Sequence, residues 1–248
     1  MPLRALLITL MLAACAPQGT GIGVNLVPDA EVQQAGLQAW ADIKARVPAS
    51  GDAGMQARAT EVAGRVLRSA GDNPAEWEVV VFASDQVNAF ALPGNKIGVY
   101  EGMMRLADTN DELATVVAHE VGHNKARHAA QRMNTETATS LGVNLLGAVL
   151  GGTNGQMVAA LLGAGAEYGV ILPYSRNQEL EADQMGLHGM ARAGYDPHAA
   201  ITLWRKMAQK GGSRPPAFLS THPDPENRIE QLQAEMPTAE KEFREARG

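Results

Sequence analysis

The clearest chemical signature in the chain is the segment His119-Glu120-Val121-Gly122-His123. On a helix, residues four positions apart project from one face about a turn apart, so both neutral imidazoles can reach a single zinc ion. Glu120 lies beside them and is placed to take a proton from metal-bound water. The alternative is a helix with two surface histidines, but a shuffled chain of this composition contains the pattern only about once in a hundred sequences. The segment therefore predicts a hydrolytic zinc site.

A catalytic zinc site needs a third protein ligand and leaves its fourth position to water. His128 follows His123 by five residues, about 500° around a continuous helix, which predicts that it points away from the ligand face. Glu179 is the better candidate, and Asp183, one turn later, is expected to accept the free N–H of a ligand imidazole. The alternative for both acids is a solvated helix start that the helix dipole favours. Glu181 is expected to be solvated.

Two helices must position these side chains. A capping box at Thr109 and Glu112 predicts that the first runs from there to about Met133. The second is predicted over 177–193, with Gly194 ending it. Further predicted elements are helices over 29–46, 52–70 and about 196–210, a helix that begins at Asp224-Pro225, a strand over 76–82, and a β-hairpin of 87–92 and 96–100 around Pro93-Gly94-Asn95.

Composition limits the class of protein. The chain has 248 residues, of which 45% are apolar and 19% are charged, so it is long enough for one sizeable domain or two small ones. The formal net charge of -6 argues against a nucleic-acid partner, because binding phosphates requires a basic face.

The N-terminal residues resemble a bacterial lipoprotein signal. Residues 1–14 have one early arginine and a short apolar run, and Leu12-Ala13-Ala14-Cys15 resembles a lipobox whose cysteine becomes lipidated. Cys15 is the chain's single cysteine, and Ala16 after it favours delivery to the outer membrane by the same resemblance. The prediction is a signal peptide over 1–14, a tether over 15–27, a domain over 28–248, and a lipid-anchored periplasmic protein. An ordinary signal peptide cut near Ala14 or Ala16 is the alternative.

A second apolar stretch, 141–172, is interrupted by polar residues and is too short without them to span a bilayer, which needs about 18 to 20 apolar residues. It is expected to form a buried helical hairpin or a flap over the cleft.

Several separated segments together resemble metallopeptidase family forty-eight, the gluzincin group that contains the CAAX prenyl protease and the HtpX-like heat-shock proteases. The resemblance runs from about Ala75 to Gln233 and rests on four segments: His119 to His123 followed by Arg127-His128, YSRNQELEAD over 174–183, Ser220-Thr221-His222-Pro223 with Arg228, and the strand-and-turn residues 88–94. It implies an α+β, mostly helical zincin-like domain with a small β-sheet beside the active-site helix. The membrane-spanning helices of some members are not predicted here, so the chain is similar to the soluble, lipoprotein branch.

The resemblance also implies roles for single residues. The residue matching Glu179 is a zinc ligand, the one matching Asp183 supports a ligand histidine, and Glu120 is the base. His222 is implied to steady the oxyanion of the tetrahedral intermediate, and Arg228 to hold the loop or a carboxylate near it.

The expected function is endopeptidase hydrolysis of extended or misfolded envelope proteins in protein quality control, with Zn²⁺ as cofactor. Substrate backbone is expected to pair with an exposed edge strand formed by Ala89, Phe90, Ala91 and Leu92. The alternative is a chaperone-like or assembly-factor lipoprotein with a structural or latent zinc site. In that case His222 serves as a fourth zinc ligand, because no second cysteine is present.

Overall fold

The computed structural model describes residues 26–137, 174–210, 216–222 and 227–248. Cys15, most of the predicted tether and the apolar stretch 141–172 lie outside the described residues, and the predicted domain bounds stay predictions. The helices are α1 (Asp29–Arg46), α2 (Ala53–Ser69), α3 (Glu101–Leu106), α4 (Asn110–Lys125), α5 (128–137), α6 (Arg176–Arg192), α7 (His198–Lys210), α8 (Ala217–Thr221) and α9 (Arg228–Arg247). The strands are β1 (Glu78–Phe82), β2 (Ala89–Leu92) and β3 (Lys96–Tyr100).

The three described strands form one sheet in the order β1-β3-β2, so β2 lies at an edge. β1 runs parallel to β3, and β2 pairs antiparallel with it through the predicted hairpin turn. The turn places Gly94 and Asn95 at φ +88° and +61°, a conformation that glycine and asparagine tolerate. β1 starts at Glu78 and not at residue 76, because Pro74–Glu76 form a 3₁₀ turn capped by Asn73. The α+β, mostly helical fold class is confirmed.

Helix α4 lies at the centre of the domain. It packs against α2, α6, α7 and β2, and every residue from 112 to 123 is buried. A helix that is buried on all sides has no face exposed to water. Its polar side chains therefore need hydrogen-bond partners from neighbouring elements. This burial places the histidine pair in the interior. None of the helices in the described part of the chain is long and apolar enough to cross a membrane.

The prediction of one helix from Thr109 to Met133 is wrong. α4 ends at Lys125, Arg127 adopts a left-handed φ of +58°, and helical structure resumes at residue 128. This conformation costs a non-glycine residue roughly 1–2 kcal/mol, so tertiary contacts must offset it. Arg127 forms an ion pair with Asp29 of α1, and His128 contacts His123 across the break. Neither glycine nor proline marks the break in the sequence.

Candidate metal centre

Helices α4 and α6 cross at a close approach that glycine permits. A Cβ atom on Gly186 would lie 2.9 Å from the backbone nitrogen of His119, and one on Gly122 would lie 3.0 Å from the carbonyl oxygen of Ala182. The absence of both side chains lets the helix backbones approach, as a larger residue would push them apart. Capping boxes at Thr109 and Ser175 fix where the two helices begin. Glu179 in the first turn of α6, and Asp183 one turn later, thereby face the histidines of α4.

Four buried side chains bring metal-ligating atoms together: His119, His123, Glu179 and His222, whose ligand atoms all lie within 4.8 Å of one another. The Nε2 atoms of the two α4 histidines are 3.0 Å apart, and Glu179 oxygens lie 3.5 Å from His119 Nε2 and 3.4 Å from His123 Nε2. Tetrahedral zinc with bonds of about 2.0–2.1 Å separates its donors by about 3.3 Å. The spacing and chemistry of these donors fit a zinc ion.

The carboxylate of Glu120 faces the same space from the α4 side. Its Oε2 accepts a hydrogen bond of 2.9 Å from the backbone N–H of Ala91. Its Oε1 is buried, lies 3.3 Å from His222 Nε2, and accepts no hydrogen bond from the described residues. Burial raises the pKa of Glu120 above its usual value. One oxygen of Glu120 is therefore fixed by the sheet while the other points toward the four donors.

Asp183 and Arg228 support the donors from behind. Asp183 Oδ1 lies 2.9 Å from His119 Nδ1, the nitrogen that faces away from the cluster. Arg228 is 1% exposed and donates to Asp183 Oδ2 at 2.5 Å and to Glu179 Oε2 at 2.6 Å. Its guanidinium carbon stands 3.7 Å from the centroid of the Trp204 ring. A single buried cation thus holds two carboxylates in place.

Burial and these contacts shift the pKa values of the donor side chains. Although burial opposes its charged form, His119 has a pKa raised to about 10 by hydrogen bonds to Asp183 and Glu179. Burial likewise opposes the charge of Glu179, but hydrogen bonds from the surrounding histidines lower its pKa. Burial lowers the pKa of His123 to about 2. The carboxylates around these rings therefore favour a positive charge beside them, which a metal cation would supply.

The family model for peptidase family M48 matches residues 53–236, which is more than half of the chain. The chain belongs to peptidase family M48. M48 metallopeptidases are zinc-dependent, in agreement with the donor set described above.

The chain is also similar to named M48 proteins. Mitochondrial metalloendopeptidase OMA1 from Schizosaccharomyces pombe is 39% identical over 71% of this chain and 51% of its own length. The Yersinia pestis beta-barrel assembly-enhancing protease is 30% identical over 85% of this chain and 45% of its length. The Escherichia coli K12 protein of the same name is 33% identical over 66% of this chain and 35% of its own length. The chain thus spans about half the length, or less, of these relatives.

Among the residues named from the sequence of this M48 domain, the structure brings together His119, Glu120, His123, Glu179 and His222, and places Asp183 and Arg228 against them. Their individual roles stay predictions. Cys15 lies outside the described residues. His222 follows α8, and Phe218 stacks on its ring with centroids 4.3 Å apart.

The expectation that His128 points away from the ligand face is wrong, although His128 is not one of the four metal-ligating side chains. Glu181 is exposed as predicted, but it has a partner that was not predicted. His128 is fully buried, its Nδ1 lies 2.8 Å from His123 Nδ1, and its Nε2 lies 3.1 Å from an oxygen of Glu181. The angular argument assumed a continuous helix, whereas the break at Arg127 turns His128 back toward the site. Glu181 is therefore partnered with a buried imidazole although half of its own side chain is exposed.

Sequence reasoning also missed Tyr174. Its ring stacks on His123 with centroids 4.0 Å apart at 22°, and its backbone N–H donates to the carbonyl of Thr221. Burial raises the pKa of the Tyr174 hydroxyl to about 12. The only signal for it was its position at the start of the 174–183 segment.

The predicted substrate strand is β2, at the edge of the described sheet and beside the cluster. It is less exposed than expected: Ala89 and Ala91 are buried, and Phe90 and Leu92 are partly buried. A cavity of about 230 Å³ lies between this strand, His123 and α1. Its lining includes Val32, Ala91, Pro93, Ala130 and Tyr174.

Proposed function

We propose that this chain is a zinc-dependent endopeptidase that cleaves extended or misfolded polypeptides of the cell envelope in protein quality control. The observation that carries the proposal is the convergence of His119, His123 and Glu179 beside a Glu120 oxygen that accepts no hydrogen bond from the described residues. Relatives named metalloendopeptidase and beta-barrel assembly-enhancing protease support the reaction class and the choice of envelope proteins as substrates.

His119, His123 and Glu179 would hold the zinc ion. Zinc, when bound, lowers the pKa of water to about 7 and polarises the scissile carbonyl. Glu120 takes a proton from the attacking water through Oε1 and returns it to the leaving amine, while the Ala91 N–H keeps the carboxylate in place through Oε2. Burial raises the pKa of Glu120 and so makes its protonated form, which donates to the amine, easier to reach.

Strand β2 supports a preference for extended chains. An extended segment can pair with the outer edge of β2 by donating hydrogen bonds to its backbone carbonyl groups, which does not depend on sequence, while the Ala91 N–H is donated to Glu120. The cavity next to Ala91 and His123 offers room for one side chain of such a segment. Folded proteins seldom present a free extended segment, so this geometry favours unfolded or misfolded substrates.

Attachment to the outer membrane through a lipidated Cys15 is part of the proposal and rests on the lipobox resemblance. In bacteria that process lipoproteins, the full chain is expected in the membrane fraction and Cys15→Ser in the soluble periplasmic fraction. Ser220→Ala, a change away from the signal, serves as the control. Equal membrane recovery of Cys15→Ser and the unmutated chain would contradict the anchor.

The cleavage test uses the zinc-loaded full chain and an unfolded, reduced protein as substrate. Cleavage is expected to stop when a chelator removes the metal and to return when zinc is restored. Glu120→Gln is expected to keep its zinc and lose cleavage, because a neutral amide cannot accept the water proton. Glu240→Gln, which removes a carboxylate paired with His198 on α7, is the matched control. Turnover by Glu120→Gln at the rate of the unmutated chain would reject the proposal.

A second candidate is a chaperone-like or assembly-factor protein with a latent or structural zinc site. His222 favours it, since its Nδ1 lies 3.1 Å from Glu179 and 3.3 Å from His119 Nε2, within the donor cluster. Four protein donors close a zinc site and leave no position for water. Suppression of aggregation by Glu120→Gln, at the level of the unmutated chain, would separate this activity from cleavage.

A further inference from the structure

We infer that His128 and Glu181 are positioning residues that fix the metal-binding form of His123 through a chain of two hydrogen bonds. The inference rests on the proposed zinc site. Its geometric basis is the sequence of contacts from Glu181 Oε2 to His128 Nε2 at 3.1 Å and from His128 Nδ1 to His123 Nδ1 at 2.8 Å. His123 Nε2 stands at the opposite end, among the metal-ligating atoms.

The first step concerns His123. A neutral imidazole has one N–H and one lone pair, on different nitrogens. If His123 binds a metal through Nε2, its proton must be on Nδ1, which then donates to the neighbouring ring. His128 Nδ1 must consequently present a lone pair.

The second step concerns His128, whose own proton must then be on Nε2. That nitrogen faces the carboxylate of Glu181, which in its ionised form can accept hydrogen bonds but cannot donate one. Glu181 therefore selects the one tautomer of His128 that is compatible with metal binding by His123. If His128 carried its proton on Nδ1, that N–H would face the Nδ1–H of His123. The clash could be avoided only by moving the His123 proton to Nε2, which would then be unable to bind the metal.

The two α4 histidines are thus supported by carboxylates in different ways. His119 meets Asp183 directly, whereas His123 reaches Glu181 through an intervening imidazole. The left-handed turn at Arg127 makes the second arrangement possible by returning His128 to His123 five residues later. Conformations of this kind persist only where the surrounding contacts fix them. Both carboxylates come from α6, so one helix supports both ligand rings.

The test is the affinity of the full chain for Zn²⁺, measured by competition with a chromophoric chelator. Loss of a group that supports a metal-ligating histidine typically costs 10–100-fold in affinity. We expect His128→Leu to lose about that much and Glu181→Leu to lose about threefold to tenfold, because Glu181 acts one step further away. Glu181→Gln keeps an acceptor oxygen and should recover part of the loss. In the His128→Leu background, Glu181→Leu should have no further effect.

Glu240→Leu is the matched control. It removes the carboxylate that pairs with His198, an exposed histidine, and should leave zinc affinity unchanged. Glu181 is 56% exposed in its side chain, so its variants test the inference even if His128→Leu fails to fold. In the zinc-loaded chain, ¹⁵N chemical shifts should show His128 protonated on Nε2 only.

Zinc affinity within twofold of the unmutated chain for both Glu181→Leu and His128→Leu overturns the inference, as does a proton on His128 Nδ1. Neither result affects the proposed function as long as the unmutated chain binds zinc and cleaves. If the unmutated chain takes up no zinc at all, the proposed function fails and the inference fails with it.

Discussion

The backbone N–H of Ala91 donates a hydrogen bond to Oε2 of Glu120 at 2.9 Å, which joins the edge strand directly to the proposed base. In an antiparallel pair, alternate residues direct their backbone groups away from the neighbouring strand. Ala91 is such a residue, and its N–H points out of the sheet. The edge that would pair with a substrate thus also orients the group that would activate the water.

Replacing Ala91 with proline removes this N–H without removing a hydrogen bond between β2 and β3, a position at which edge strands tolerate proline. A hydrogen bond to a charged group contributes about 1.5–3 kcal/mol. We therefore expect kcat for an unfolded peptide to fall about 10- to 100-fold, with zinc content unchanged. Steady-state kinetics together with metal analysis of the purified variant measure both quantities.

Ala89→Pro provides the control, because the N–H of Ala89 also avoids β3 but contacts the Asn88 side chain and not Glu120. Its kcat is expected to stay within about threefold of the unmutated chain. Equal losses of kcat in the two variants would mean that proline disturbs the strand, and would remove the special role of Ala91.

Gly186→Ala tests whether the close helix crossing assembles the site. The added Cβ would lie 2.9 Å from His119 N and 3.1 Å from His119 Cα, and backbone atoms cannot rotate away. We expect the two helices to separate, with a loss of about 1–3 kcal/mol in the free energy of unfolding and weaker zinc binding. Thermal unfolding and chelator competition measure the two effects.

Gly189→Ala, one turn later on the same helix, is the matched control. Its Cβ would lie 4.0 Å from the Cβ of Ala118 on α4, which is an ordinary van der Waals contact. Alanine favours a helix by up to about 1 kcal/mol over glycine, and this variant should be as stable as the unmutated chain or more so. If both variants lose zinc affinity equally, the tight crossing does not explain the site.

Local sequence signals predicted most of the fold that carries the site. The capping box at Thr109 marked the start of α4, Gly194 marked the end of α6, and the Pro93-Gly94-Asn95 turn marked the hairpin. The i, i+4 spacing placed His119 and His123 on one helix face. In each case the determining interaction lies within a few residues along the chain, so the sequence alone contains it.

Tertiary interactions determine what the sequence did not predict. The break at Arg127 depends on Asp29, which is 98 residues away, and on His128 meeting His123. Propensity rules describe a residue's own neighbours, whereas these positions are set by partners from other elements.

Acid titration should reveal the contribution of Glu78, which joins α1 to the sheet. Burial opposes its charge, but hydrogen bonds from Lys44, Lys96 and Trp40 lower its pKa below the ordinary 4.5. A carboxylate whose pKa is lower in the folded than in the unfolded chain stabilises the fold fully at pH values above its pKa in the unfolded chain. This contribution disappears as the pH falls through its pKa in the folded chain. Glu78→Gln should cost about 0.5–1 kcal/mol at pH 7, because the pairs are partly solvent-screened.

The cost of Glu78→Gln should shrink toward zero in denaturant titrations carried out at pH values below the folded pKa. Glu76→Gln, two residues earlier, is the control, because Glu76 accepts a hydrogen bond from the neutral amide of Asn73. A cost for Glu78→Gln that stays constant from pH 7 to acid would exclude the ionic contribution.

His222→Ala distinguishes the two roles available to this residue. His222 lies inside the donor cluster, so as a fourth ligand it would occupy the position that water needs. That role predicts that its removal weakens zinc binding by about tenfold and increases cleavage of an unfolded protein at saturating zinc. His198→Ala, which removes an exposed histidine paired with Glu240, should change neither quantity. Unchanged zinc affinity with a 10²- to 10³-fold fall in kcat, the loss typical of an oxyanion-stabilising donor, would instead assign His222 to the transition state.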